Sequence, residues 1–293
     1  MARRKQKASL GSMIVLAIIV AIVWAVENVD FRKDKEPAEN PTTEVHFVDV
    51  GQGDGALVIS GDEAMVIDTG ERDETDKFLE YLREQGVTEL KYLIITHPHT
   101  DHMGEASDIL NAIPTENIIM PKVSADMTPT NSTYKYFLKT VQRQGMKITA
   151  SKDGTYKLGD IEFELFTTKE EHEDLNNYST LVKVVDGENS FLFTGDCEDE
   201  EEYEMLEQGF DLSATVLSAG HHGSSYSSTY EFLDAVNPQY AVVSCGLNNS
   251  YGHPHDEAVE RLQQYAKHYY TTPECGSIVF LSDGKGLTVE TEK

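Results

Sequence analysis

The sequence predicts a mixed α/β fold in which two β-sheets pack face to face with helices on the outside. Short apolar strands recur in both halves of the chain, helical segments separate them, and there is no tandem repeat of the solenoid kind. Because each sheet and each helix must bury one apolar face, the two halves are expected to pack through their sheets.

The first half alternates strands with helices. Predicted helices cover 73–85, 103–113 and 131–145, and the loop HPHTDH at 97–102 follows a strand directly. The predicted strands of this half are EVHFVDV at 44–50, GALVIS at 55–60, AMVIDTG at 64–70, KYLIIT at 91–96 and NIIMPK at 117–122.

The second half also alternates strands with helices. An acidic helix is predicted over 198–208, and two further helices over 228–236 and 256–266. The predicted strands are MKITA at 146–150, IEFELFTT at 161–168, STLVKVV at 179–185, SFLFTGD at 190–196, ATVLSAG at 214–220, YAVVSC at 240–245, SIVFLSD at 277–283 and GLTVET at 286–291.

An uncharged apolar segment at 8–26 follows a basic head at 1–7 and precedes a polar linker at 27–43. Its length suits a helix that crosses a bilayer, and the basic flank predicts that the folded domain at 44–293 lies outside the cell membrane. The expected location is therefore a single-pass, extracytoplasmic one. The alternative is a cleavable signal peptide that would leave a secreted protein, because Val23 and Ala25 suit cleavage.

The chain is strongly acidic, with a formal net charge of -27 from 24 basic and 51 acidic residues. Four of the basic residues lie in the head, so from Val26 onward 20 basic residues face 51 acidic ones, a net charge of -31. The chain from Val26 onward therefore repels polyanions at long range. Broad, electrostatically driven nucleic-acid binding is therefore disfavoured, and no protein partner is implied.

The loop after the strand KYLIIT concentrates potential metal ligands. His97 and His99 are two residues apart and point the same way in extended backbone, while Asp101 and His102 stand at the turn into a helix. Imidazole and carboxylate groups together suit zinc, manganese or iron. Four ligand types within six residues predict a metal site.

Two other strands end in groups of the same chemistry. Asp196 closes FLFTGD, and His221 and His222 follow ATVLSAG. A dinuclear hydrolase needs a carboxylate shared between its ions and ligands from distant strands. The chain supplies candidates for both.

These motifs carry a resemblance to a known family. IDTG at 67–70, THPHTDHMG, FTGD and HHGS, in that order, resemble the metallo-β-lactamase superfamily, whose fold is a four-layer αββα sandwich. HFVDVGQGDGALV, LNNYSTLV and SCGLNNSYGHPH look like the hydrolase domain of the ComEC/Rec2 competence proteins. The resemblance covers about Glu44 to the C-terminus, and the predicted hydrophobic helix precedes it.

The resemblance implies a role for each matching residue. It makes His97, His99, Asp101 and His102 ligands, with Asp101 and His102 on the second metal. It makes Asp196 the bridge between two divalent ions of zinc or manganese, and His221 the last ligand. It makes Asp68 a brace for the ligand loop. His222 is expected to face the substrate, although the sequence alone does not separate it from His221.

Two departures from the family pattern stand out. Many competence-type relatives have Asp where this chain has His99. The third histidine that the superfamily uses is missing, and Asn177 and Ser179 lie in its region, with His172 nearby in an acidic loop. The first metal site is therefore expected to be short of one ligand.

Further candidates for contact with substrate lie in three loops. His253 is a candidate hydrogen-bond donor or general acid. The remaining candidates are Asp49, Gln52 and Asp54 in DVGQGD, Ser224 and Ser225 after the double histidine, and Asn248.

The function implied is an extracytoplasmic metal-dependent hydrolase that acts on a phosphodiester, such as DNA or a cell-wall polymer, through a metal-activated water. Asp101, His222 and His253 are its candidate catalytic residues. The alternatives are a membrane-tethered binding module of the same fold, and a hydrolase of another ester or a lactam.

Overall fold

The computed structural model describes residues 34–72 and 77–293. The predicted membrane segment at 8–26 and the start of the predicted helix at 73–85 lie outside these residues. Within them, no helix is both long enough and apolar enough to span a bilayer. Residues 35–293 form one compact unit.

Two sheets form the centre of this unit. The first has eight strands in the order β15-β14-β1-β2-β3-β4-β5-β6, and the second has seven in the order β13-β12-β11-β10-β9-β8-β7. The strands are β1 Thr43–Phe47, β2 Gly55–Ser60, β3 Glu63–Thr69, β4 Leu90–Ile94, β5 Thr115–Met120, β6 Ile148–Ala150, β7 Gly154–Leu158, β8 Ile161–Phe166, β9 Leu181–Asp186, β10 Asn189–Phe193, β11 Val216–Ser218, β12 Tyr240–Val243, β13 His268–Thr271, β14 Ile278–Ser282 and β15 Leu287–Thr291.

Eight α-helices and two 3-10 turns are found in the part of the chain that the structure describes. The helices are α1 Lys77–Glu84, α2 Thr100–Met103, α3 Ala106–Ala112, α4 Ser132–Arg143, α5 Asp199–Gln208, α6 Tyr230–Val236, α7 Asp256–Tyr265 and α8 Thr272–Cys275. The 3-10 turns are Asn176–Tyr178 and Gly220–Gly223.

Alternation along the strands divides the core into three layers. Along β2, Ala56 and Val58 face the second sheet, whereas Leu57 packs with the helices on the other side. Phe163, Phe191 and Phe280 are fully buried between the sheets. Helices α1, α3 and α4 cover the first sheet, and α5, α6 and α7 cover the second. The predicted sandwich of two sheets with outer helices is confirmed.

Residues before β1 belong to the folded unit. The backbone N–H of Leu287 donates to Glu36 O at 2.7 Å, and the N–H of Ala38 donates to Thr288 Oγ1 at 3.0 Å. The expected linker at 27–43 therefore ends earlier than the sequence indicated, because its last residues pack along β14 and β15.

Helix α1 is tied to the ligand region by a buried carboxylate. Glu105 is 1% exposed, and its two carboxylate oxygens accept the backbone N–H groups of Phe78 and Leu79 at 3.2 and 3.0 Å. Both N–H groups belong to the first turn of the described helix, where a carboxylate acceptor is stabilising.

Replacing Glu105 by alanine is expected to lower the free energy of unfolding by about 2 kcal/mol, because two buried N–H groups lose a charged acceptor. The midpoint of urea unfolding at an unchanged m-value measures this loss. Glu80→Ala, an exposed position in the same helix, is the control and should stay within about 0.5 kcal/mol of the parent. Equal midpoints for the two variants would contradict the capping role.

Candidate metal centre

The candidate ligands come together where parallel strands end. β3 pairs in parallel with β4, and β10 pairs in parallel with β11, which pairs in parallel with β12. The residues that follow these strands meet between the two sheets, so side chains far apart in sequence share one cluster.

The loop after β4 presents its ligands from a rigid base. The backbone N–H groups of His102 and Met103 both donate to His99 O, at 3.2 and 3.1 Å, which starts helix α2 inside the ligand motif. The N–H of Asp54 donates to Asp101 O at 3.2 Å and joins this loop to the one after β1. The ligand loop is thus held from both sides.

Asp68, the residue predicted to brace that loop, hydrogen-bonds to both of its ends. Its carboxylate accepts the N–H and the hydroxyl of Thr96 at 2.7 and 2.6 Å, and Nδ1 of His102 at 2.8 Å. Because His102 uses Nδ1 for this bond, its Nε2 is directed at the cluster. Burial raises the pKa of Asp68, although His102 opposes that shift.

Asp196 lies between two groups of histidines. Its Oδ1 is 3.0 Å from His102 Nε2 and 3.5 Å from His222 Nε2. Its Oδ2 is 3.6 Å from His97 Nε2 and 3.7 Å from Nε2 of His221. Burial acts to raise the pKa of Asp196, but the surrounding histidines hold it well below its ordinary value. The carboxylate therefore stays ionised and presents one oxygen to each of the two groups of histidines.

Two overlapping sets of ligand atoms result. Asp54, His102, Asp196 and His222 offer atoms that all lie within 4.8 Å of one another, and so do His97, His99 and Asp196. Asp101 lies beside the first set, with its Oδ2 3.3 Å from His222 Nε2. Asp196 belongs to both sets.

Unpaired buried atoms show that the first set fits a cation. Nε2 of His102, Nε2 of His222, Oδ1 of Asp196 and Oδ1 of Asp54 are buried and make no hydrogen bond of good geometry. They lie against one another instead, with Nε2 of His102 at 3.0 Å and Nε2 of His222 at 3.5 Å from Oδ1 of Asp196. Buried polar atoms nearly always have a partner, so several that converge without one call for an ion. Two imidazoles and two carboxylates form a donor set that suits zinc, manganese or iron.

The two adjacent histidines have different surroundings. His222 is 1% exposed and its Nδ1–H donates to the backbone oxygen of Ser244 at 3.0 Å, which leaves Nε2 free for the cluster. His221 is 22% exposed at its side chain and its Nδ1–H donates to Glu198 at 2.9 Å. Both have positive φ, 48° and 55°. The geometry thus gives His222 the position that the sequence assigned to His221.

The side chains in the region of the missing third histidine hydrogen-bond to residues around Asp196. Ser179 Oγ accepts the N–H of Asp196 at 3.1 Å and lies 3.4 Å from His97 Nδ1. Asn177 Oδ1 accepts the N–H of Glu198 at 3.0 Å. His172 Nε2 lies 3.1 Å from the carboxylate of Glu204. The side chains of this region therefore orient Asp196 and its neighbours, while His172 pairs with the acidic helix α5.

An open cleft of about 250 Å³ lies over the ligands. His253 lines it, with its ring centroid 5.3 Å from that of His221. Burial and the neighbouring histidines lower the pKa of His253 to about 4, so it is neutral at pH 7. The lining consists of Gln52, His99, Thr100, Asp101, Asn176, Asp196, His221, His222, Tyr251 and His253.

Four predicted substrate residues take other positions. Asp49 Oδ2 pairs with Lys293 at 3.3 Å, and Asn248 is exposed at a turn with φ of 55°. Ser224 Oγ accepts the N–H of Tyr226 at 3.3 Å, and the N–H of Ser225 donates to Nδ1 of His255 at 3.0 Å. The two serines therefore shape the loop after the double histidine.

Asn249, which fixes the loop after β12, was not among the residues predicted from the sequence. Asn249 Nδ2 donates to Gly246 O at 2.9 Å and to His253 O at 2.6 Å, and its Oδ1 accepts the N–H of His253 at 3.0 Å. An asparagine followed by a serine, with Gly252 three residues further on, is an ordinary turn signal. Nothing in the sequence indicated that this one holds the wall of the cleft.

Asp68→Asn is expected to weaken metal binding by about 10- to 100-fold, because an amide cannot accept the His102 Nδ1–H as the carboxylate does. Asparagine tolerates the φ of 57° at this position, so the fold should persist. Competition with a chromophoric chelator measures the affinity, and Asp62→Asn at an exposed turn is the control. Equal affinities would contradict the bracing role.

Comparisons with known proteins agree with this geometry. The profile of the Metallo-beta-lactamase superfamily matches residues 48–247. The chain is 29% identical over 264 residues to ComE operon protein 3 of Bacillus subtilis, which covers 83% of this chain and 34% of that protein. It is 30% identical over 247 residues to Recombination protein 2 of Haemophilus influenzae, covering 81% of this chain and 29% of that protein. The chain thus spans about a third of the length of these relatives.

Two solved structures share the fold at low sequence identity. A CmlA beta-hydroxylase mutant superposes with a TM-score of 0.56 at 15% identity, covering 94% of this chain and 60% of that one. Tm1679, a metal-dependent hydrolase of the beta-lactamase superfamily, gives 0.51 at 14% identity, covering 78% and 94%. Identities this low support the fold alone.

Proposed function

The chain belongs to the metallo-β-lactamase superfamily of metal-dependent hydrolases, and we propose that it hydrolyses a phosphodiester at the outer face of the cell membrane. The resemblance to the ComEC/Rec2-type domain is confirmed by the curated relatives. The observation that carries the proposal is the position of Asp196, whose two oxygens face two sets of ligand atoms.

The ligand sets define what each ion would contact. His102, Asp196 and His222, with Asp54 and Asp101 beside them, would hold one divalent ion, zinc or manganese. His97, His99 and Asp196 would hold the other. When bound, such ions acidify water and stabilise negative charge that develops on a phosphoryl group. The second set has three members and is expected to bind more weakly.

Asp101 is the proposed proton acceptor. It lines the cleft, and its carboxylate lies 3.3 Å from His222 Nε2. Burial acts to raise the pKa of Asp101, but the contacts with His222 and His102 hold it well below its ordinary value. An ionised carboxylate at this place can orient a water molecule and accept its proton.

His253 and Gln52 are the proposed contacts to the substrate. His253 is neutral at pH 7, so it would donate a hydrogen bond from one ring nitrogen without carrying a charge. Gln52 Nε2 is a buried donor without a partner at the same cleft. Both would contact oxygens of a bound phosphodiester.

The charge of the chain limits the substrate. The lining of the cleft contains no lysine or arginine among the residues that the structure describes, and the body of the chain is strongly acidic. Attraction of a phosphate would therefore depend on the bound cations. A short phosphodiester, such as a DNA end or a wall-polymer substituent, fits this arrangement better than a long duplex.

Hydrolysis by the full-length purified chain tests the proposal. Bis-p-nitrophenyl phosphate, single-stranded DNA, duplex DNA, a phosphodiester-linked wall polymer and a β-lactam are compared with manganese or zinc present. We expect turnover of the phosphodiesters and none of the β-lactam, because the third histidine of lactam-cleaving relatives is absent. If no phosphodiester were cleaved with either metal, the alternative of a membrane-tethered binding module would replace this proposal.

A further inference from the structure

We propose that Tyr251 forms a subsite for a planar aromatic ring carried by the substrate, so that the scissile phosphodiester belongs to a nucleoside. This inference rests on the proposed phosphodiesterase function and adds to it the class of group next to the phosphate. A wall polymer built on sugars or polyols has no flat ring to place there.

Tyr251 is an exposed ring held at the mouth of the metal cleft. It lines the cleft and is 64% exposed. Its ring stacks on that of His253, with centroids 5.7 Å apart and planes at 24°. His253 in turn lies against His221, next to the ligands. One face of the tyrosine is thus supported from below, while much of the ring remains accessible to a partner.

The loop that carries Tyr251 is fixed in place. Asn249 Oδ1 accepts the N–H groups of Tyr251 and His253, at 3.1 and 3.0 Å. Gln52 Oε1 accepts the N–H of Gly246 at 2.9 Å, which ties the start of the loop to the turn after β1. A ring on a fixed loop loses little conformational entropy when a second ring stacks on it.

Gln52 gives a second, independent indication of a ligand. Its Oε1 is used by Gly246, whereas its Nε2 is buried at the same cleft without a hydrogen-bond partner. A neutral amide donor suits a neutral acceptor, such as a ring carbonyl, as well as a phosphoryl oxygen. An aromatic wall with a free donor matches a ring that carries hydrogen-bond acceptors.

The electrostatics of the cleft favour stacking over ion pairing. No lysine or arginine lines the cleft in the described part of the chain, so beyond the metal ligands no such side chain can hold a substituent by a salt bridge. Stacking between a base and an aromatic side chain does not need a positive charge, and it tolerates different bases.

Two substrates with the same leaving group test the subsite. Thymidine 5′-(4-nitrophenyl phosphate) and ethyl 4-nitrophenyl phosphate differ only in the group that stays on phosphorus. The full-length chain with manganese should show a KM about tenfold lower for the thymidine ester. Tyr251→Ala should bring the ratio of the two KM values close to one, and Tyr251→Phe should keep it.

Tyr203→Ala is the matched control, because Tyr203 is a 45% exposed tyrosine on α5 that does not line the cleft. It should leave the ratio of KM values unchanged. Equal KM values in the parent chain, or a preference for thymidine that survives in Tyr251→Ala, would overturn the subsite.

A binding measurement separates failure of the subsite from failure of the proposed function. Saturation-transfer NMR detects contact between the chain and the ring protons of thymidine 5′-monophosphate. Transfer that is present in the parent and in Tyr251→Phe, and lost in Tyr251→Ala, supports the subsite even if neither ester is hydrolysed. Transfer of equal strength in all three proteins, or none in the parent, contradicts it.

Discussion

Alanine in place of Asp196 is expected to lower kcat/KM on bis-p-nitrophenyl phosphate by about 10³-fold or more, which corresponds to ~4 kcal/mol. The side chain is 3% exposed and both of its oxygens face histidines, 3.0 Å from His102 and 3.6 Å from His97. Its removal takes one ligand from each set at once and leaves several buried imidazoles without an anion. Metal content measured by mass spectrometry should fall together with the activity.

Asp211→Ala is the matched control for this variant. Asp211 is 74% exposed, and its carboxylate lies 3.0 Å from Nζ of Lys183, whose side chain is 5% exposed. It should keep full metal content and activity. If Asp196→Ala retained both, Asp196 would not be the shared ligand.

The second large expected effect is a difference in metal affinity between alanine variants of two neighbouring residues. His222→Ala is expected to weaken metal binding by well over 100-fold, because its buried Nε2 lies in the ligand set with His102 and Asp196. His221→Ala should weaken it by about tenfold, as for a residue that supports a ligand from outside. His221 is paired with Glu198 and lies 3.7 Å from Asp196.

Titration of cobalt into each metal-free variant measures this difference, since the visible absorption of bound cobalt reports its ligands. His221→Ala should give a cobalt spectrum close to that of the parent, and His222→Ala should not. The opposite result would restore the assignment made from the sequence.

Most strands could be predicted because they are buried on at least one face. β2 and β3 are short, continuous apolar runs that are buried on both faces, so that Ala56 and Leu57 of β2 pack on opposite sides of the first sheet. Strands β7 and β13 were missed, and both lie at an edge of the second sheet. Four of the five residues of β7 are exposed or half-exposed, so this strand shows no hydrophobic periodicity from which it could be predicted.

Site residues could be predicted from the sequence where they lie within one short motif or directly after a strand. The motif at 97–102 and Asp196 were recognised from their positions after strands. The place of His222 depends on two consecutive residues with positive φ, and that of Asp54 depends on a backbone bond to Asp101. Both are tertiary properties. Gln52 was foreseen as a candidate, but its role as a clamp on Gly246 depends on contact across 194 residues.

The most direct test of metal-dependent hydrolysis at the ligand sets that share Asp196 is a metal titration. It starts from the full-length chain after its metal has been removed with a chelator. Hydrolysis of bis-p-nitrophenyl phosphate and bound manganese or zinc are measured in the same samples as metal is added. The shared position of Asp196 predicts that activity is absent without metal and returns as the ligand sets fill, in parallel with bound ion. Full activity in the chelated chain, or stoichiometric binding of either metal without any hydrolysis, would contradict it.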